Sequence, residues 1–383
     1  MAPQAPLTLG VVGASLKPDE RRVPIHPGHL DRLPDELRSR VFLETGYGER
    51  FGVPDAELRP HVGGLLDRAE LFATADVLLL PKPQHADLRD MRDGQVLWGW
   101  PHLVQDETMT QLALDKKLSV IAFEAMNHWG SDGTFGLHVF HLNNEIAGYC
   151  SVLHALQLCG STGDYGRRLT AVVIGFGATA RGAVTALRAH GVHDVRVLTN
   201  RATASVAAPI HATQIIQFDH DGPYVSEVIT DDGRVPLAPF LAESDIVVNC
   251  TLQDPNRPLL YLTVDDLASF RPGSLIVDVS CDEGMGFEWA RPTSFADPMF
   301  TVGGHINYYG VDHSPSYLWN SASWEISEAL LPFLPTVMAG PEAWAGDTTL
   351  DRAIEVAAGE VRNPAILEFQ NREPEPPYAV RSR

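Results

Sequence analysis

A strand, a glycine turn, a helix and a second strand succeed one another over residues 169–201. Roughly 170 residues before that unit alternate apolar β-branched runs with helical stretches. Two long segments with apolar residues at helical spacing, 141–159 and 319–333, bracket the unit together with the chain up to residue 318. Together these observations predict an α/β protein: two Rossmann-like domains with parallel sheets, linked by two long helices across a central cleft.

The first domain opens with a strand at Leu7 to Val12. Apolar runs at Val41–Leu43, Val77–Leu80, Val96–Leu97 and Val120–Phe123 supply further strands, with a helix over 107–115. Residues 141–159 carry Ile146, Val152, Leu153 and Leu156 on one helical face, then break at Gly160–Gly166. The glycine unit comes next: Val172–Ile174 as strand, then Gly175-Phe176-Gly177-Ala178-Thr179-Ala180, a helix, and a strand through Val195, Val197 and Leu198. Gly175 permits the tight turn, Gly177 lets backbone approach a pyrophosphate, and Ala180 allows close helix–strand packing. The helix N-terminus adds N–H donors and partial positive charge. Asp245–Cys250 and Ser274–Val279 read as further central strands, and the acid-rich 217–236 as a polar hairpin insertion. The chain is expected to leave the nucleotide domain after residue 305, residues 340–372 to complete the first domain, and the Pro-rich terminus to be disordered. The expected division is 1–140 plus 320–383 as a substrate domain, and 141–319 as the NAD(P)-binding domain.

The second strand of the unit ends Thr199-Asn200-Arg201, where an NAD reader usually carries an acid for the ribose 2′-OH. Arg201 suits a 2′-phosphate instead. NADP(H) is therefore the favoured cofactor, with NAD as the alternative.

A formal charge of −20 argues against nucleic acid and anionic membranes as partners, and no run of 18 apolar residues provides a span. Cys150, Cys159, Cys250 and Cys281 are scattered without metal-site spacing, no HExxH occurs, and no basic leader segment opens the chain. The expectation is a cytoplasmic protein with no bound metal, acting on small molecules; homo-oligomerisation stays open. Because the overall field is negative, any anionic substrate needs a local basic pocket. Candidates stand where strands end, the usual place for sites in open α/β sheets. They are Arg21 and Arg22 in Glu20-Arg21-Arg22-Val23-Pro24, Lys82 closing VLLLPKP, and His102 closing VLWGWPH.

At these segments the chain resembles the alanine dehydrogenase and saccharopine dehydrogenase superfamily, and within it most nearly the N5-(carboxyethyl)ornithine synthases. The resemblance runs over about residues 8–335. It includes ERRVP (20–24), ETGYGERFGV (44–53), RDGQVLWGWPH (92–102), NEIAGYCSVLHAL (144–156), IVDVSCDEG (276–284) and VDHSPSYLWNSASWEISEALLPF (311–333). It implies that Arg22 and Lys82 hold the carboxylate of a 2-oxo acid, that His102 is the acid/base, and that Asp282 is the aspartate on the nucleotide side. Lys82, His102 and Asp282 form the implied catalytic set. It also implies cofactor contacts at Asn144, at the start of the long helix, and at Cys250, Val279 and Ser280. His313 stands where this superfamily has an asparagine, so Arg21 and His313 are the candidates for a second substrate contact. The implied activity is reductive condensation of a 2-oxo acid with the amino group of an amino acid. An ammonia-using alanine dehydrogenase and a lysine-forming saccharopine dehydrogenase are the alternatives, with an NADP-sensing non-enzyme as a different class. Carbinolamine dehydration needs a proton donor and amine attack needs a base, and one imidazole titrating near neutrality serves both.

Overall fold

The computed structural model describes residues 5–200, 213–253 and 257–381. It divides into two compact units, Met1–Phe140 with Trp319–Arg383, and His141–Leu318.

In the first unit, five parallel strands alternate with short helices. They are β1 (Leu9–Val11), β2 (Val41–Glu44), β3 (Gly64–Leu66), β4 (Val77–Leu79) and β5 (Val96–Gly99), with β6 (Ser119–Ala122) extending the parallel run. Strands Ile354–Ala357 and Glu360–Val361 complete an eight-stranded sheet in the order 360–361, 354–357, β6, β5, β4, β1, β2, β3. Leu9, Val41, Val77, Leu79, Trp98 and Ile121 are buried in one cluster with Ile326, Leu330 and Leu350. The core of this unit is thus finished by chain that returns after residue 318. Helix Glu107–Asp115 begins as its sequence implies: the Asp106 side chain caps it, accepting from the Met109 N–H.

The second unit is a nine-stranded sheet with five parallel strands at its centre: Gln214–His220, Asp194–Thr199, Thr170–Ile174, Ile246–Asn249 and Leu275–Asp278, the last paired in turn with Ile306–Tyr309. Helix His141–Leu158 packs closely on helix Ala178–Ala189. A Cβ on Gly148 would overlap the Thr179 carbonyl, and one on Gly182 the Glu145 carbonyl, so glycine is required at both crossings.

Three expectations need correction. Both sheets carry antiparallel edges. Ile354–Ala357 runs against β6, Ser226–Thr230 and Gly233–Pro236 form a hairpin on Gln214–His220, and Met299–Val302 runs against Ile306–Tyr309. Each of these strands is reached by a short turn or as a lone edge, and only a crossover segment could make it parallel. The chain also stays in the second unit well past residue 305, because Ile306–Tyr309 is a sheet strand and the unit ends at Leu318. Finally, the C-terminal segment is packed rather than loose. Tyr378 and Arg372 are buried, with Arg372 donating to Gln370, Gln111 and the Tyr378 carbonyl.

Candidate active site

Lys82, His102 and Glu124 lie just beyond the C-terminal ends of neighbouring strands β4, β5 and β6. The first two strands approach unusually closely there, since a Cβ on Gly99 would lie 2.0 Å from the Leu80 carbonyl oxygen. That approach sets Lys82 Nζ 2.8 Å from His102 Nε2. The ammonium donates and the imidazole lone pair accepts, so the ring proton sits on Nδ1, which is 3.7 Å from Glu124 Oε1. His102 has φ of 52°, the left-handed region that a non-glycine residue adopts at a cost. Its backbone N–H donates to Glu124 Oε1 at 2.7 Å, and this bond helps hold the strained turn. The imidazole is 47% exposed, accessible to a substrate.

Arg22 lies on the loop after β1 and is buried. Its Nε donates to Glu20 Oε1 at 2.8 Å and its Nη2 to Glu20 Oε2 at 2.5 Å, while its guanidinium stands 5.4 Å over the Trp100 ring. Glu20 therefore occupies one edge of the guanidinium fork. Arg21 is exposed, and its carbonyl accepts from Arg50.

In the second unit, Gly175 has φ of 104° at the end of strand Thr170–Ile174, and a Cβ there would stand 3.0 Å from the Cys250 carbonyl oxygen. Gly177 is the N-cap of helix Ala178–Ala189, and no side chain caps that end. A Cβ at Gly177 would meet nothing within 4 Å. The helix end thus presents first-turn N–H donors to open space, which fits a pyrophosphate. Ala180 is buried against the strands. Thr199 is buried at the end of strand Asp194–Thr199 and Asn200 is exposed, whereas Arg201 lies outside the described residues. Cys250 and Val279 flank the glycine turn at neighbouring strand ends, where Ser280 Oγ donates to the Thr251 carbonyl at 2.6 Å. Asn144 is half-buried in the first turn of helix His141–Leu158.

Asp282 comes directly after Cys281, whose φ is 43°. That turn is held by Asp278, which accepts from the Cys281 N–H at 3.0 Å, Asn249 Nδ2 at 3.0 Å and the Tyr308 hydroxyl at 2.9 Å. Burial raises the Asp278 carboxyl to about 6 and also raises Asp282 above the usual carboxylate range. His313 is buried, with Nδ1 2.6 Å from Asp312 Oδ1 and its ring edge-on to Phe295.

Sequence reading missed Glu20 and Glu124. Glu124 carries the same signal as Lys82 and His102, a charged residue closing an apolar strand. Glu20 lies two residues before Arg22, close enough to bridge it. Among the described residues no cluster of His, Cys, Asp or Glu could hold a metal ion, and no helix is long and apolar enough to cross a membrane.

A glycine turn shaped for a pyrophosphate on one unit and an acid/base histidine beside a lysine on the other define a nicotinamide-dependent oxidoreductase. Residues 11–140 match the alanine dehydrogenase/PNT N-terminal domain and residues 163–364 the alanine dehydrogenase/PNT C-terminal domain. The chain belongs to the alanine dehydrogenase/PNT family. It is 26% identical over 325 residues to an N(5)-(carboxyethyl)ornithine synthase of Clostridium botulinum, covering 82% of this chain and 89% of that one. It is 26% identical over 375 residues to an alanine dehydrogenase of Halomonas elongata, covering 93% and 95%. Its fold is similar to that of an L-alanine dehydrogenase, with a TM-score of 0.75 at 20% identity over 95% of this chain and 99% of that one. The transhydrogenase of Sinorhizobium meliloti is also similar, with a TM-score of 0.68 at 22% identity over 94% and 99%.

Proposed function

We propose that the protein condenses a 2-oxo acid with the amino group of an amino acid and reduces the product to an N-(carboxyalkyl) amino acid. The observation that carries this reading is the 2.8 Å contact between Lys82 Nζ and His102 Nε2 on adjacent strand ends. A fixed cation for a carboxylate and a proton-transfer group stand side by side there. Lys82 and Arg22 supply positive charge for the oxo-acid carboxylate, and they fix the carbonyl carbon relative to the imidazole. His102 takes a proton from the attacking amine and returns one to the departing hydroxyl, so that water leaves and a C=N bond forms. The bound cofactor, held at Gly175, Gly177, Ala180 and Thr199, with Asn144, Cys250, Val279 and Ser280 as further contacts, supplies the hydride that reduces that bond. Asp282 holds charge on the nucleotide side. Arg21, being exposed, is the better candidate for the amino acid's carboxylate than the buried His313. On this reading the first unit is the substrate domain and the second the nucleotide domain.

The deciding experiment is mass spectrometry of the full-length protein incubated with pyruvate, NADPH and a mixture of diamino acids, beside a reaction with ammonia. A secondary amine bearing both carbon skeletons is the expected product. Alanine formed only with ammonia would assign the chain instead to ammonia-using chemistry, in line with its similarity to the Halomonas enzyme. A product from 2-oxoglutarate would make it saccharopine-like with the same residues. Binding of NADPH with no turnover of any pair would leave a sensor.

NADPH is the preferred cofactor on this reading, through Arg201. Arg201→Ala is expected to raise the NADPH KM by roughly ten- to a hundredfold, the equivalent of one lost charge-assisted phosphate contact, with little change for NADH. Equal effects on both cofactors in steady-state rates would refute the 2′-phosphate contact.

A further inference from the structure

Two carboxyl groups meet at the edge of the first sheet without enough donors to satisfy them. Strand Ile354–Ala357 runs antiparallel to β6, with Ile354 opposite Ile121 and Val356 opposite Val120. Glu355 is the extra residue between those pairs, a β-bulge, and bulges re-aim side chains beside functional sites. The bulge is held from the far side, where the Glu355 carbonyl accepts from the Arg362 and Asn363 N–H groups. Glu355 is 3% exposed; its Oε1 accepts from Asn363 Nδ2 at 3.0 Å, and its Oε2 is buried without a hydrogen-bond partner. Glu124 comes after β6 at the same end of the sheet. Its side chain is partly exposed elsewhere, but its Oε2 is also buried without a partner.

A buried carboxylate oxygen with no donor costs free energy, and two such oxygens on neighbouring carboxyls relieve the cost by sharing a proton. We propose that Glu124 and Glu355 share one proton at neutral pH, and that this pair is a positioning device which sets the charge His102 faces. The proposal rests on the reading of His102 as the acid/base. Glu124 touches His102 twice, through the backbone N–H at 2.7 Å and opposite Nδ1 at 3.7 Å. The charged and titratable groups around Glu124 are Lys82, His102, Glu355 and His138, whose Nε2 lies 3.3 Å from the Glu124 carbonyl. Beside Glu355 the next ionic pair is Arg362 with Asp351.

Burial, reinforced by Glu355, pushes Glu124 up to about 8, and burial pushes Glu355 up to about 7. The two titrate as a unit. Both folded values exceed the unfolded value of 4.5, so the folded protein binds more protons than the unfolded chain between those limits. Stability from the pair is therefore full below the unfolded value and is lost as pH rises through about 7 to 8.

The test uses the full-length protein, Glu355→Gln and, as a second isosteric variant, Glu124→Gln. Wild-type Tm is expected to fall between about pH 6 and about pH 9, and to fall less in either variant. Infrared spectra at neutral pH are expected to show a protonated-carboxyl C=O stretch in the wild type that is lost in Glu355→Gln. In Glu355→Gln, Glu124 keeps its charge to lower pH. The kcat/KM limb belonging to His102 is then expected to move up by roughly half to one unit, and to move down in Glu124→Gln. A Tm–pH slope unchanged in both variants, with no protonated-carboxyl band, would overturn the shared proton. A slope and band that respond while the kcat/KM limb stays fixed would overturn the link to His102. The Tm and infrared readings need no substrate, so they stand even if no oxo acid and amine are turned over.

Discussion

His102→Ala is expected to lower turnover by roughly 10²–10⁴-fold while leaving cofactor affinity nearly intact. The imidazole is exposed, one ring nitrogen accepts from Lys82 and the other faces Glu124, and the left-handed backbone at 102 holds it there. The nucleotide contacts lie on the other unit, on Gly177 and the helix behind it. Steady-state rates across pH check the assignment, because the variant should also lose the limb near neutrality. A variant that retained wild-type turnover and pH profile would remove His102 from the mechanism. The hydroxyl would then depart without a protein proton, or another group would supply it.

Arg22→Ala is expected to be costly for a different reason. The Arg22 and Glu20 side chains are 2% and 0% exposed, so they form a buried ion pair. Removing the guanidinium leaves the Glu20 carboxylate buried without its cation, a change of about 3–5 kcal/mol. Urea unfolding should register that loss. Replacing both residues with methionine should recover most of the stability but not the activity. Arg22→Lys restores charge without the planar fork, so it should restore stability only in part. If Arg22 also faces the oxo acid, the lysine variant raises the oxo-acid KM more than the amine KM. An amine KM that rises more would place the amino acid's carboxylate there. An Arg22→Ala protein as stable as the wild type would show that Glu20 finds another donor.

Much of the architecture was legible because local signals agreed with the global fold. The turn at Gly175–Ala180 needs a positive φ at one glycine and open space at the other, and few other residue choices serve both. Lys82 and His102 stood out because charged residues rarely close runs as apolar as VLLLP and VLWGWP. Glu355 could not be read in the same way. It acquires its place from a register shift against β6, and that pairing joins segments more than 200 residues apart. Glu20 was overlooked because a glutamate in a loop next to two arginines looks like solvated surface. Only the tertiary burial of Arg22 makes it a partner. The packed C-terminal segment escaped for a related reason: its anchor, Arg372, reaches back to helix Glu107–Asp115, to Gln111. The antiparallel edges were missed because an apolar run carries no mark of strand direction.

The return of Trp319–Arg383 to the first unit also dictates an order of assembly during synthesis. The segment His141–Leu318 is continuous and closes its own core, so it can fold as soon as it emerges. The first 140 residues cannot finish in the same way. Until Ile354–Ala357 is made, β6 is an open edge with unpaired backbone groups, a template for intermolecular pairing. Ile326, Leu330 and Leu350 are likewise missing from the cluster beneath it. The catalytic histidine is therefore translated early, but the carboxyl beside it gains its partner among the last residues made. Until then the nascent first unit is a client for chaperones.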